Sequence, residues 1–222
     1  MSMSLQDAFD THAVSAWAKQ MHLNDLVGDA NWELDVEAGQ VEFSNGRRWS
    51  IQILGSESHQ SDTWLWAWAN TKSGLPDALL QMAQQVRAFG EQHDIDELIQ
   101  PDIPLDWGDG HLLGTIAAGL CEADAYYRCP HSAGAVCVLI RDDKFPRPAE
   151  SPLTKLPELF FEAINNLDIR NHRLALTSFL HQHHAPITET VDAIETVLPN
   201  GPLKATLDSH GRVREMSFAK HS

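Results

Sequence analysis

Asp62-Thr63-Trp64-Leu65-Trp66-Ala67-Trp68-Ala69-Asn70 is the stretch on which the reading of this chain turns. Three of the seven tryptophans stand here at alternate positions. Side chains alternate across a β-strand with a period of two, so an extended backbone sends all three indoles to one face. Leu65, Ala67 and Ala69 go to the other, and no charge falls between Trp64 and Ala69. Both faces are apolar. That predicts an interior strand, covered on both sides or walling a pocket, around which the other layers assemble.

Working upstream, Trp32, Leu34 and Val36 alternate with Glu33, Asp35 and Glu37, the pattern of a strand with one wet face. Val41 and Phe43 continue it after a turn at Ala38-Gly39, and Asn45-Gly46 is a two-residue hairpin signal. Trp49, Ile51 and Ile53 mark a third strand, and Gly55 to Ser61 reads as a polar loop. Residues 31 to 70 therefore predict a four-stranded antiparallel meander. Periodicity leaves open whether the indoles share the face of Trp49 or lie opposite it. Before the meander, Leu5, Phe9, Ala13, Ala16 and Trp17 predict an amphipathic helix over residues 5 to 22.

Working downstream, Pro76 suits the first turn of a helix, and Leu79, Met82, Ala83, Val86 and Phe89 follow at helical spacing. Residues 110 to 126 predict a buried helix, weakened by Gly114 and Gly119 and stopped at Pro130. Residues 135 to 140 are continuously apolar, as in a strand buried on both sides. A proline-rich linker at 142 to 152 then leads to three expected helices. These are marked by Leu156 to Leu167, by His172 to His184, and by Ile187, Val191, Ile194 and Leu198. Leu203 to Leu207 and Val213 to Phe218 close the chain as a hairpin. The fold class expected is α+β: an antiparallel meander sheet packed by helices, with a mainly helical C-terminal region ending in a β-hairpin. Residues 1–150 form the sheet domain of this reading, and 151–222 the C-terminal region.

Composition narrows the function classes. The chain has 31 acidic and 16 basic residues among 222, a formal charge of −15. Such a field repels nucleic acid and anionic lipid, so neither nucleic acid nor membrane is an expected partner. No apolar run nears the roughly 20 residues that span a bilayer. Met1 to Asp7 lacks the basic and apolar regions of a secretory signal, and a cytoplasmic setting is expected. Cys121, Cys129 and Cys137 are an odd set, which suits free thiols in a reducing compartment. From Ala88 to Tyr127 there is no Lys or Arg, while nine acidic residues fall inside. Such a stretch reads as a solvated face or as a surface for a basic protein partner.

At Thr63–Asn70, with Pro76, Val86-Arg87-Ala88-Phe89-Gly90 and Tyr127-Arg128-Cys129-Pro130, the chain resembles a bacterial family of unknown function. A W-x-W-A-W-A-N strand marks that family. The resemblance covers roughly residues 25 to 145. It implies the fold and a cytosolic class, and it carries no mechanism.

Candidate sites are few. Trp64, Trp66, Trp68, Asn70, Tyr126, Tyr127 and Arg128 could wall a mostly apolar ligand pocket with polar groups at its rim. The plainer reading makes the rings core, with Asn70 bonding its own turn. His181 and His184 would share a helix face at i, i+3, a spacing that can hold a metal. A polar helix end, where histidine suits the dipole, explains them equally simply. Asp102, Asp106 and Asp109 do not follow the ligand spacing of an EF-hand. Ser56 lies in no nucleophile elbow, and Cys129 near His131 is only sequential proximity. No Walker loop or G-x-G-x-x-G is present, and no cofactor is expected. The function expected is that of a non-enzymatic acidic interaction protein of an immunity-like kind. The alternative is a small-molecule-binding or enzymatic module with a tryptophan-walled pocket.

Overall fold

The computed structural model describes residues 3–218. The chain divides into two compact units, Met1–Leu5 with Lys19–Pro146, and Gln6–Ala18 with Arg147–Ser222. Helix α1, Leu5–Val27, thus supplies its first half to the second unit and its last turns to the first.

In the first unit, β1 (Trp32–Asp35), β2 (Gln40–Phe43), β3 (Arg48–Ser58) and β4 (Thr63–Trp66) form the expected antiparallel meander. Helices α2 (Gln81–His93) and α3 (Asp96–Ile99) follow, then the short edge strand β5 (Asp102–Pro104) beside β4. Helix α4 (Gly110–Leu120) leads into β6 (Ala125–His131) and β7 (Gly134–Ile140), and β7 pairs with β3. Pro76 does not open α2 itself; it precedes a 3-10 turn at Asp77–Leu79.

Strand β3 is longer than expected and explains the rest. One edge pairs with β7 along most of its length. The other edge is divided, with β2 on residues 48–50 and β4 on residues 55–58. β4 ends at Trp66, which stands opposite Gly55, directly beside the bulge in β3. The backbone turns at once into a 3-10 helix, Ala67–Ala69. The tryptophan stretch is half strand and half turn, not one continuous strand. The supposed polar loop from Gly55 is itself strand as far as Ser58.

A register shift between Ile53 and Gly55 settles which face the indoles take. A one-residue slip inverts the faces of a strand. Trp49, Ile51 and Ile53 point one way with Phe43; Phe43 packs on Trp49 and Tyr127 at centroid distances of 5.6 and 5.1 Å. Beyond the bulge, Gly55 and Glu57 point the other way, and so do their register partners Trp66 and Trp64. The indoles lie opposite the Trp49 layer. Residues 121–126 also differ from expectation: α4 ends at Leu120, Glu122 takes a left-handed φ of 50°, and Tyr126 to Pro130 is strand. Pro130 is tolerated there because β6 is an edge strand.

The second unit holds α5 (Leu156–Asn166) and α6 (His172–Gln182), then β8 (Ile187–Glu189), β9 (Ala193–Leu198), β10 (Gly201–Leu207) and β11 (Val213–Phe218). The four strands make an antiparallel sheet in the order β11-β10-β9-β8. The final hairpin stands where the sequence placed it. The third expected helix does not form: β8 and β9 occupy its place. Thr188, Thr190, Val191, Thr196 and Val197 are β-branched, which favours a pleated strand over a helix. Ile194, Thr196 and Leu198 alternate inward, and Val191, at the hairpin tip, is 92% exposed.

Candidate functional site

Trp64 and Trp66 are both fully buried, with their rings edge to face at 5.4 Å. The Trp66 indole N–H donates to the Glu97 carbonyl on α3 at 3.1 Å. The Trp64 ring lies directly over Gly55, where a Cβ would collide with it. These two indoles are core. Trp68 lies in the 3-10 turn, half-buried, with the Arg87 guanidinium 4.5 Å from its ring. Asn70 caps the same turn through its backbone N–H, which donates to the Ala67 carbonyl at 3.2 Å.

Strand alternation along β6 divides Tyr126, Tyr127 and Arg128. Tyr126 and Arg128 share the side of Trp64, and Tyr127 lies opposite with Phe43. Arg128 meets a group that the sequence reading passed over. Glu57 is only 6% exposed; it accepts from Arg128 Nε at 2.8 Å and from Arg128 Nη2 as well. Its other oxygen accepts the Gly110 amide at 2.7 Å, at the first turn of α4. A Cβ at Gly110 would fall 2.7 Å from that oxygen, so glycine is what lets the helix end approach. Burial pushes the Glu57 pKa up, but the Arg128 and Gly110 hydrogen bonds and nearby positive charge outweigh it. The carboxyl is held below its ordinary value. Asp109 completes the junction as N-cap, accepting from the His111 and Leu112 amides at 3.0 and 2.8 Å.

This cluster locks β3, β6 and α4 together. Around it, burial pushes the Tyr126 phenol up to about 12 and the Cys137 thiol well above its usual range. Both groups stay protonated at neutral pH. Cys121 and Cys129 are likewise free and buried, each pushed up to about 12 by burial.

The acidic stretch lies mostly open. Glu91, Asp94, Asp96, Asp102, Asp106 and Glu122 are exposed. Of these, Glu91 forms an ion pair, with Arg87 at 2.9 Å. Among them stands Trp107, 50% exposed. Its amide donates to the Pro104 carbonyl at 3.0 Å, and the neighbouring Leu105 amide donates to the Asp62 carbonyl at 2.9 Å. Asp62 is therefore brought beside the same loop.

Residues 6–143 match the family of unknown function DUF6882. The chain belongs to DUF6882. No curated protein matches the chain, and no solved structure does. The DUF6882 match takes in the indoles, the Glu57–Arg128 pair, the acidic stretch and Trp107.

His181 and His184 lie outside the DUF6882 match. Helix α6 ends at Gln182, and His184 takes a φ of 54°, beyond the helix. The shared helix face assumed from the sequence does not exist at these two residues. Among the described residues, no group of three His, Cys, Asp or Glu side chains is placed to hold a metal ion. No helix of the described residues is long and apolar enough to cross a membrane. Two surface cavities, about 670 and 330 Å³, lie on the second unit, and no indole lines either.

Sequence reasoning missed Glu57 because it sat in an apparent loop of small polar residues. In the sequence Gly55 and Glu57 continue the odd-numbered phase of Ile51 and Ile53, so no residue there signalled that the bulge turns them to the other face. Trp107 was passed over for want of any periodic neighbours.

Proposed function

We propose that this DUF6882 member is a non-enzymatic interaction protein that offers the acidic surface of its first unit to a basic protein partner. The supporting observation is where the charge sits. The first unit carries 20 acidic against 8 basic residues, a formal charge of −12; the second carries 11 against 8, or −3. Asp94, Asp96, Asp102 and Asp106 are exposed, and none is in an ion pair among the described residues. A one-signed surface of this kind accelerates and orients encounter with an oppositely charged partner. Occupying and blocking a cationic partner, as an immunity protein does, is the concrete form of this reading. Three free, buried thiols support a reducing, cytoplasmic setting.

The test is retention of partners from a cytosolic extract by the immobilised full chain, at low and at moderate salt. The variant with Asp94, Asp96, Asp102 and Asp106 all changed to Asn serves as comparison. A basic protein held at low salt, and shed both by added salt and by the variant, is the expected result. Retention of nothing at either salt contradicts the reading.

A further inference from the structure

We infer that Trp107 is the anchor of a docking surface for an arginine-bearing segment of a basic protein. This inference rests on the function proposed above and names the contact through which it works.

The ring is held out, not left loose. Its backbone is fixed in a turn by the bond to Pro104, directly after edge strand β5. Two residues later Asp109 caps α4, and Gly108 between them is buried against Leu113 and Ile103. Both flanks are anchored, yet half of the indole faces water and no aromatic or cationic partner stacks on it among the described residues. Tryptophan so placed is the residue type most enriched at the energetic centres of protein interfaces.

The surroundings choose the occupant. Asp62, Asp102 and Asp106 are exposed around this loop, and their side chains have no partner in an ion pair among the described residues. A guanidinium satisfies both features together: it stacks flat on an indole face and pairs with carboxylates at its edge. An ammonium pairs but does not stack as well. Addition of a strand to β5 is the other way a partner could dock here, and the edge argues against it. The Trp66 amide bonds the Pro101 carbonyl and the Leu105 amide bonds the Asp62 carbonyl, so odd-numbered residues face β4. Asp102 and Pro104 face outward, and proline has no N–H to give. Docking is through side chains.

The experiment follows the indole N–H signals of the ¹⁵N-labelled full chain by NMR while an arginine–glycine peptide is added at low salt. A lysine–glycine peptide of equal charge and a serine–glycine peptide are the controls, and Trp107→Phe assigns the signal. Saturable movement of the Trp107 signal is expected, with the Trp64 and Trp66 signals still. The lysine peptide should bind more weakly and the serine peptide not at all. Trp107→Ala should weaken the arginine peptide by about tenfold. Unchanged affinity in Trp107→Ala, or equal binding of the lysine peptide, overturns the anchor while the acidic surface stands. Failure of both basic peptides to bind overturns the anchor and the proposed function together.

Discussion

Glu57 in the first unit and Asp10 in the second are both buried carboxylates, and they are satisfied differently. In the first, Glu57 is met by a guanidinium and one amide, so a full ion pair sits at the join of β3, β6 and α4. In the second, Asp10 is 1% exposed and accepts the Arg170 and Asn171 amides at 3.2 and 2.8 Å and the Gln6 side chain at 2.9 Å. The first arrangement depends on a charge matched by a charge; the second depends on neutral N–H donors shared between both carboxylate oxygens. Removing one member of a buried ion pair strands the other, which is worse than losing ordinary hydrogen bonds.

Substitutions should separate the two in that order. Arg128→Ala should cost about 3 kcal/mol, the lower end of the usual range because Arg128 keeps some exposure. Hydrogen exchange should show the loss in the β3 and β6 amides. Replacing both partners, as Glu57→Leu with Arg128→Met, should recover only part of it, since packed apolar groups can replace the pair but leave the buried Gly110 amide without its acceptor. Asp10→Ala should cost about 2 kcal/mol, read as faster exchange at the start of α6. Equal effects of Arg128→Ala and Asp10→Ala would remove the distinction.

Acid should separate the units by a different route. The Glu57 carboxyl is held below its ordinary value of 4.5, so its contribution is complete above that pH and is lost as pH falls below it. In the second unit, burial lowers the pKa of His172 from 6.5, the nearby Arg212 adds to this, and Asp10 and Asp208 oppose it. The folded form holds the ring neutral while the unfolded chain takes up a proton, so stability falls as pH drops from 6.5 through the lowered value. Amides of α6 should therefore lose protection at a higher pH than those of β3, and His172→Asn should abolish that early loss. The smallest effect belongs to Val197, 60% exposed on the outer face of the second sheet. Val197→Thr should change stability by less than about 0.5 kcal/mol by denaturant titration.

The sequence carried more of the first unit than of the second, and for a physical reason. In β1, β2 and the first half of β3, alternation is regular because each strand has one wet face, so period and position could be read directly. The bulge at Leu54 interrupts that period, and no residue type announces it; Glu57 and the facing of Trp64 were lost with it. The end of β4 falls where its partner strand β3 bulges, a non-local fact absent from the tryptophan stretch itself. In the second unit, Ile187, Val191, Ile194 and Leu198 fit a helix by spacing, while the chain pairs β8 with β9 through a tight hairpin. There the β-branched composition was the better guide. The aromatic constellation was legible as a set of residues and not as a site, because its members take two sides of one sheet and a turn.

The account rests on an inner pair of closed indoles and an outer one that is open. Incorporation of 5-fluorotryptophan into the full chain, with ¹⁹F signals followed as a soluble paramagnetic agent is added, reads that directly. Signals of Trp64 and Trp66 should stay sharp while that of Trp107 broadens first. Broadening of Trp64 or Trp66 alongside it, or a sharp Trp107 signal, would contradict both the closed core and the exposed anchor.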